Sequence, residues 1–414
     1  MLRAAILFAM AMAGFAATYS VVVIPSPSGF TDVYMGGINS SGQVAVSAYA
    51  SPGGSAVFIG SASGITPVPL PSGWTSGTAF AVNTSGQVAG TVFNGTASAA
   101  FIGATSGSAL IPLPNSLPSS GFNSYGYALN DSGQVVGTIL NVNFASPAFV
   151  GTPSESTLFP SPGYGPSQPT GLPNAINNSG LVAGAIVTSY FLSGSAGTIS
   201  AYQEFIGTPA GVTIVATPSG YASAEPWAIN ASGQVAGIAL TEGILYVAQQ
   251  AFLGTNAGST LIPFPARAGT SRVFNQSIND FGVVVGYSDL GGWIWDANNG
   301  TRLLNSLVPD GWNVTSAISI SNNGLVLAQA TYQDGASQYV ELIPTGISPT
   351  PAPSTLVLLL MGAMVTGAWL RWRGLEPQPS EAVSGRSIAG AGHRLKPMLQ
   401  AEARATLSPN AGQK

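Results

Sequence analysis

Between residue 18 and Pro353 the chain carries twelve carboxylates against three cations, Arg267, Arg272 and Arg302, and no His, Lys or Cys. Without those side chains most nucleophile–base pairings are excluded, as are disulfides and thiolate metal sites. The sole histidine, His393, falls in a polar C-terminal stretch and reads as a solvated residue. Carboxylates alone can hydrolyse glycosides, but only when two of them face each other across a cleft. Their placement names no such pair. Asp131 and Asp280 follow the Asn of a turn, and Asp296 opens the turn Asp-Ala-Asn-Asn-Gly, positions that turn propensity explains. Glu155, Glu204, Glu225, Glu242, Asp289 and Asp310 share no spacing. A calcium loop needs carboxylates at alternate positions, which Asn130-Asp131-Ser132-Gly133 lacks, and the glycines mark hairpins rather than a phosphate-cradling strand-to-helix junction. No catalytic, cofactor or metal residue is assigned, and the acidic excess argues against nucleic acid as a partner.

What remains must be positioned by a scaffold, and composition bounds its kind. Only 6% of residues are charged, against about a quarter in ordinary soluble proteins. Hydroxyls and amides must therefore hydrate the surface, the texture of exported β-proteins. The hydrophobic fraction, 45%, is too high for general disorder.

One phrase recurs along the chain, apolar-Asn-x-x-Gly-x-Val. It starts at Ile38-Asn39, Val82-Asn83, Leu129-Asn130, Ile176-Asn177, Ile229-Asn230 and Ile278-Asn279, with a degenerate seventh copy at Ile320-Ser321. Its glycines, Gly42, Gly86, Gly133, Gly180, Gly233, Gly282 and Gly324, lie 44, 47, 47, 53, 49 and 42 residues apart, a period that suits propeller blades better than solenoid turns. Apolar runs on both sides predict a hairpin with a four-residue loop, in which Asn accepts hydrogen bonds from the turning backbone and Gly takes the positive φ.

A second phrase puts an aromatic residue in each unit: Phe58, Phe101, Phe149, Phe205, Phe252, Trp293-Ile294-Trp295 and Tyr339. It reads as a core wedge between neighbouring sheets, with carbohydrate stacking as the other reading. Trp74, Trp227 and Trp312, placed between edge strand and hairpin, read mainly as packing residues or else as a sugar platform. A third phrase, as in Leu110-Ile111-Pro112 and Leu261-Ile262-Pro263, contains proline and so marks an exposed outer strand. This strand follows the aromatic phrase six times, is missing after the last unit, and has a surplus copy at Val21-Val22-Val23-Ile24-Pro25 before the first. The count predicts an all-β, seven-bladed propeller of four-stranded blades, closed by the N-terminal strand. An open β-solenoid is the alternative.

Both ends carry export features. Met1-Leu2-Arg3, an apolar run to Phe15 and Ala16-Ala17 read as a signal peptide over 1–17. A buried helix is the competing reading, opposed by the extended run that starts at Tyr19. Repeats occupy 18–348, followed by a linker and Pro351-Ala352-Pro353-Ser354 over 349–354, an apolar run over 355–370, and a basic tail over 371–414 that is expected to be disordered and cytoplasmic. The run is read as a transmembrane anchor, flanked by Trp369, Arg371, Trp372 and Arg373.

The repeats resemble the HAF-repeat family of extracellular bacterial proteins, the match being clearest over Ala228-Ile229-Asn230-Ala231-Ser232-Gly233-Gln234-Val235-Ala236-Gly237. The family's His is missing from every unit, and its Trp survives only at Trp295. The C-terminus resembles the PEP-CTERM sorting signal through Pro351, Pro353, Ser354, the apolar run and the basic cluster, although Ala352 stands in place of Glu and a 41-residue tail follows from Gly374. These resemblances imply an exported protein of a Gram-negative cell surface or extracellular matrix, anchored in the inner membrane before processing by an exosortase-type enzyme and associated with exopolysaccharide. The expected function is non-catalytic, a binding or structural role toward a polysaccharide or surface protein. A carboxylate-based glycan hydrolase or lyase is the alternative.

Overall fold

The computed structural model describes residues 18–345 apart from 52, 118–120, 142–146, 161–169, 192–197, 242–248, 265–269 and 275–276. The chain divides into two units, Met1–Thr350 and Pro351–Lys414. The expected signal peptide, the sorting motif Pro351, Pro353 and Ser354, the apolar span, Arg371 and Arg373 all lie outside the described residues, as do Arg267 and Glu242. Among the described residues no helix is long and apolar enough to cross a membrane.

The strands form seven four-stranded sheets. Blade 1 runs Asp32–Ile38, Val44–Tyr49, Ser55–Ser61 and Gly64–Pro67 in simple antiparallel order, and the pattern repeats from Ser76, Phe122, Thr170, Ser223, Ser271 and Trp312. The first strand of each blade is innermost. The last blade has three strands of its own, Trp312–Ile320, Val326–Tyr332 and Gln338–Thr345, and its outer strand is Thr18–Val23, paired from Thr18↔Thr345 to Val23↔Val340. The chain is therefore a closed seven-bladed β-propeller, and the open solenoid is set aside. Outer strands are short, and Pro112 and Pro263 fall just beyond their ends, where a missing N–H costs no ladder bond.

Blades are held together by alternating faces of their middle strands. Phe101, Phe149, Phe205, Phe252 and Trp293 are buried against the preceding blade, each worth about 3 kcal/mol of apolar burial. Each of these rings pairs across the ladder with a glycine: Gly90, Gly137, Gly184, Gly237 and Gly286. A Cβ on Gly237 would sit 2.5 Å from the Phe252 ring and 2.3 Å from the Glu225 carbonyl oxygen, so the ring lies flat only because the side chain opposite is absent. The seventh unit corrects the expected pattern. Val340, not Tyr339, occupies the wedge position, opposite Ala328, and Tyr339 faces the other way. Register decides it, since pairing of Val326 with Leu342 sets Val340 opposite Ala328.

The Asn turn also differs from its expected form. Asn39 N–H still donates to the Gln43 carbonyl, so the loop proper is Ser40-Ser41-Gly42, a turn closed by Gly42 N–H to the Asn39 carbonyl with Gly42 at φ +73°. Asn39 Oδ1 accepts from the N–H groups of Ser41 and Gln43. Its amide nitrogen donates to Gln43 Oε1 at 2.8 Å and, at the same distance, to the carbonyl of Asn83 in the next blade. All four hydrogen-bonding positions of the side chain are thus used. The inter-blade donation recurs from Asn83, Asn130, Asn177, Asn230 and Asn279, each to the equivalent residue of the following blade at 2.9–3.3 Å. Ser321 has no amide to pass on, and the circuit is completed by Asn323 Nδ2 to the Ser40 carbonyl at 2.8 Å.

This predicts an outcome for Asn230→Asp. Asp serves a turn as well as Asn does, yet it cannot donate to the buried Asn279 carbonyl and places charge against it. We expect a loss of about 2–3 kcal/mol in urea unfolding. Unchanged stability would reduce the asparagines to simple turn formers.

Candidate ligand-binding site

The turns converge on one mouth of the axial channel, around a small polar cavity of about 130 Å³ lined by residues from all seven blades. Asp131 of blade 3 and Asp280 of blade 6 both line it, each as part of a second inter-blade circuit. Asp131 accepts from Thr84 N–H at 2.8 Å and from Asn178 Nδ2 at 2.7 Å. Asp280 accepts from Ala231 N–H and Asn322 Nδ2, both at 2.7 Å. Their carboxylates tie blades together.

Farther along the channel, the inner strands build a larger cavity of about 460 Å³, within the range of small-molecule sites. A β-bulge aims much of its wall. In the inner strand Ser76–Val82 the register slips between Ala79 and Ala81, leaving Phe80 unpaired, and the same slip occurs at Tyr127, Asn174, Trp227 and Ile318. A bulge takes one side chain out of the two-residue alternation. Phe80, Trp227 and Ile318 consequently line the cavity, together with Tyr34, Phe274, Tyr287 and Tyr339. Phe80, Phe274 and Tyr34 are large rings left exposed, Tyr34 by 60%. Trp227 therefore belongs to the inner strand Ser223–Ile229 and not to a connection between strands, a correction to its expected place. Trp74 packs against the core of blades 1 and 2, and Trp312 lies against Tyr332 with ring centroids 5.1 Å apart.

The polar groups of this cavity are few. Phe274 stacks on Tyr287 at 4.9 Å and 18°, and Arg272 Nη1 donates to Tyr287 Oη at 3.4 Å. Gln329 and Ser316 complete the polar lining, and among the described residues no carboxylate is part of it. Among the described residues the one ion pair is Arg302 with Asp296, at 2.9 Å, and no described carboxylate pairs with Arg272. Asp296 also caps its own turn through the N–H groups of Asn298 and Asn299, as its sequence position suggested.

Two further acids are displaced from their ordinary range by burial. Glu225, on the same inner strand as Trp227, has its pKa raised by desolvation. Glu204 is fully buried between blades 4 and 5. Its Oε2 accepts from Ser259 Oγ at 3.3 Å, its Oε1 has no partner, and burial pushes its pKa up to about 8. Neither lines the aromatic cavity.

The aromatic wall was not foreseen, although a signal existed. Three residues before the six turn asparagines stand Gly36, Phe80, Tyr127, Asn174, Trp227 and Gln276, a position that changes character from unit to unit while, in the first five, its neighbours stay small or apolar.

Fold and site together define a seven-bladed β-propeller with an aromatic axial cavity that no acidic group lines among the described residues. No family model matches the chain, and no curated relative does either. Among solved structures the chain is similar to one from a study of two prolyl endopeptidases, at 12% identity and a TM-score of 0.44, over 80% of this chain and 51% of that one. It is also similar to TolB of Acinetobacter baumannii, at 11% identity and a TM-score of 0.34, over 78% and 66% of the two chains. A fucose-specific lectin from Aleuria aurantia aligns at 11% identity and a TM-score of 0.31, over 82% and 98%. The chain spans about half the length of the endopeptidase structure.

Proposed function

We propose that this chain is an exported, non-catalytic binding protein of the cell surface or extracellular matrix, and that its axial cavity holds a saccharide unit of an exopolysaccharide. The observation that carries the reading is the cavity wall. Exposed aromatic rings offer flat apolar faces to the C–H face of a sugar, while tyrosine hydroxyls, Gln329 and Ser316 suit its hydroxyl groups. Two facing carboxylates, which glycoside hydrolysis would need, are not among the described residues of that wall. Export rests on the signal-peptide pattern over 1–17, and surface attachment on the Pro351–Ser354 motif, the apolar span and the basic cluster.

The full-length protein, purified from cells, should retain exopolysaccharide in a pull-down and bind sugars on a glycan array. Phe80→Ala with Trp227→Ala should weaken that binding by at least about tenfold, the equivalent of one to two stacking contacts, in a protein that still melts in one cooperative transition, at a lower temperature because Trp227 also packs on the core of blades 5 and 6. A wild-type protein that binds no glycan would overturn the reading. Mass spectrometry of surface and secreted fractions tests the attachment separately, since exosortase-type processing predicts chains ending near Ser354.

A further inference from the structure

We infer that the axial cavity selects an acidic sugar, a hexuronate unit whose ring lies against Phe80 and Trp227 and whose carboxylate is received by Arg272. The inference rests on the reading that this cavity binds saccharide, and it names the class.

The argument is one of charge. The repeat region holds twelve carboxylates and three arginines. Arg302 is committed to Asp296, whereas Arg272 lies in the wall of a largely apolar cavity with no carboxylate partner among the described residues. A guanidinium among aromatic groups loses hydration that an anion can replace, and its forked donors match a carboxylate with two parallel hydrogen bonds. Tyr287 takes up one donor only, through a long 3.4 Å contact. A single cation suits a monoanion better than a phosphate ester, which would call for several. A peptide carboxylate is the other monoanion to consider. It would press its amide groups against Phe80, Trp227 and Ile318, where nothing pairs them, whereas a pyranose presents C–H groups on one face and hydroxyls at its rim.

The test uses the full chain in detergent micelles and isothermal titration calorimetry. Disaccharides containing glucuronate, galacturonate or mannuronate are each compared with their carboxyl-reduced neutral counterparts, and with an N-acetylated dipeptide carrying a free carboxylate. At least one acidic disaccharide should bind about tenfold more tightly than its neutral twin, as a charge-assisted pair provides, and the preference should shrink with added salt. Arg272→Gln should bring the two within about twofold, through a loss of affinity that falls chiefly on the acidic disaccharide. Arg272→Lys, which keeps charge but not the fork, should retain part of the preference. Equal binding of every acidic and neutral pair, or a preference that survives in Arg272→Gln, overturns the inference and leaves sugar binding standing. Tighter binding of the dipeptide overturns it in favour of a peptide ligand. Failure of the wild type to bind any disaccharide overturns both this inference and the function it rests on.

Discussion

Deleting residues 18–23 should open the ring and lower the melting temperature by 10 °C or more. Those six residues are the outer strand of blade 7, and among the described residues they supply the only strand pairing that joins the start of the repeat region to its end. Tyr19 anchors the strand. It is 2% exposed, packs into a core shared by blades 6 and 7, and its N–H donates to the Leu307 carbonyl at 2.7 Å. Truncating a buried aromatic residue costs about 3–5 kcal/mol, which for a domain of this size corresponds to roughly 4–7 °C; the deletion adds the lost ladder bonds. Two point variants separate burial from hydrogen bonding. Tyr19→Ala should reproduce most of the loss. Tyr19→Phe should cost nothing, because the hydroxyl is buried without a partner and its pKa is pushed up to about 12 by that burial. A peptide spanning residues 18–25, added to the deleted protein, should restore part of the lost stability by β-strand addition. Melting followed by tryptophan fluorescence decides the matter: an unchanged transition in the deletion variant would mean that the last blade is stable without its borrowed strand.

Glu204→Gln should stabilise the protein at alkaline pH by several kcal/mol and leave it nearly unchanged in acid. In the folded chain burial holds the proton up to about pH 8, against an ordinary value of 4.5. The folded state therefore binds more protons than the unfolded state throughout that window, and stability falls as pH rises through it. The contribution of this group is full below about pH 4.5, declines by up to about 1.4 kcal/mol per pH unit, and is lost by about pH 8, for a total of roughly 5 kcal/mol. Burial raises the pKa of Glu225 and Glu341 as well, adding to the trend with the same sign. The glutamine amide keeps the shape and cannot ionise. Urea midpoints at pH 5 and pH 8.5 should separate wild type from variant only at the higher value. Parallel pH profiles for the two proteins would show that Glu204 is ionised in the fold.

The oddity of Glu204 is visible in the chain once the units are aligned. It precedes Phe205 where Ala100, Ala148 and Ala251 precede their phenylalanines, and in the fold that position faces the next blade, where a Cβ on Gly254 would lie 3.0 Å from Glu204 Oε1. Ring closure was legible for a comparable reason: one outer strand is missing at the end and one is spare at the start, and hydrogen-bonding needs at a sheet edge leave few other ways to use them. The turn asparagines were legible as turn formers, because their bonds to the residues two and four positions on are local. Their donation to the next blade was not, since the partner lies 42 to 53 residues away and no local pattern requires it. The four-residue loop and the seventh aromatic wedge were misjudged by one position each, where ladder register, set by pairing across strands, decides which side chain faces which neighbour.

Strand period, turn chemistry and strand count, all written in local residue order, determined that this chain is a ring of seven like sheets whose acids and lone cations form no obvious catalytic set. Only the tertiary structure decided what stands at the axis. The bulges that turn Phe80, Trp227 and Ile318 inward break the alternation from which sidedness is read. The cavity also draws its wall from five different blades, so that Arg272 meets those rings through closure of the ring and not through any nearness in sequence.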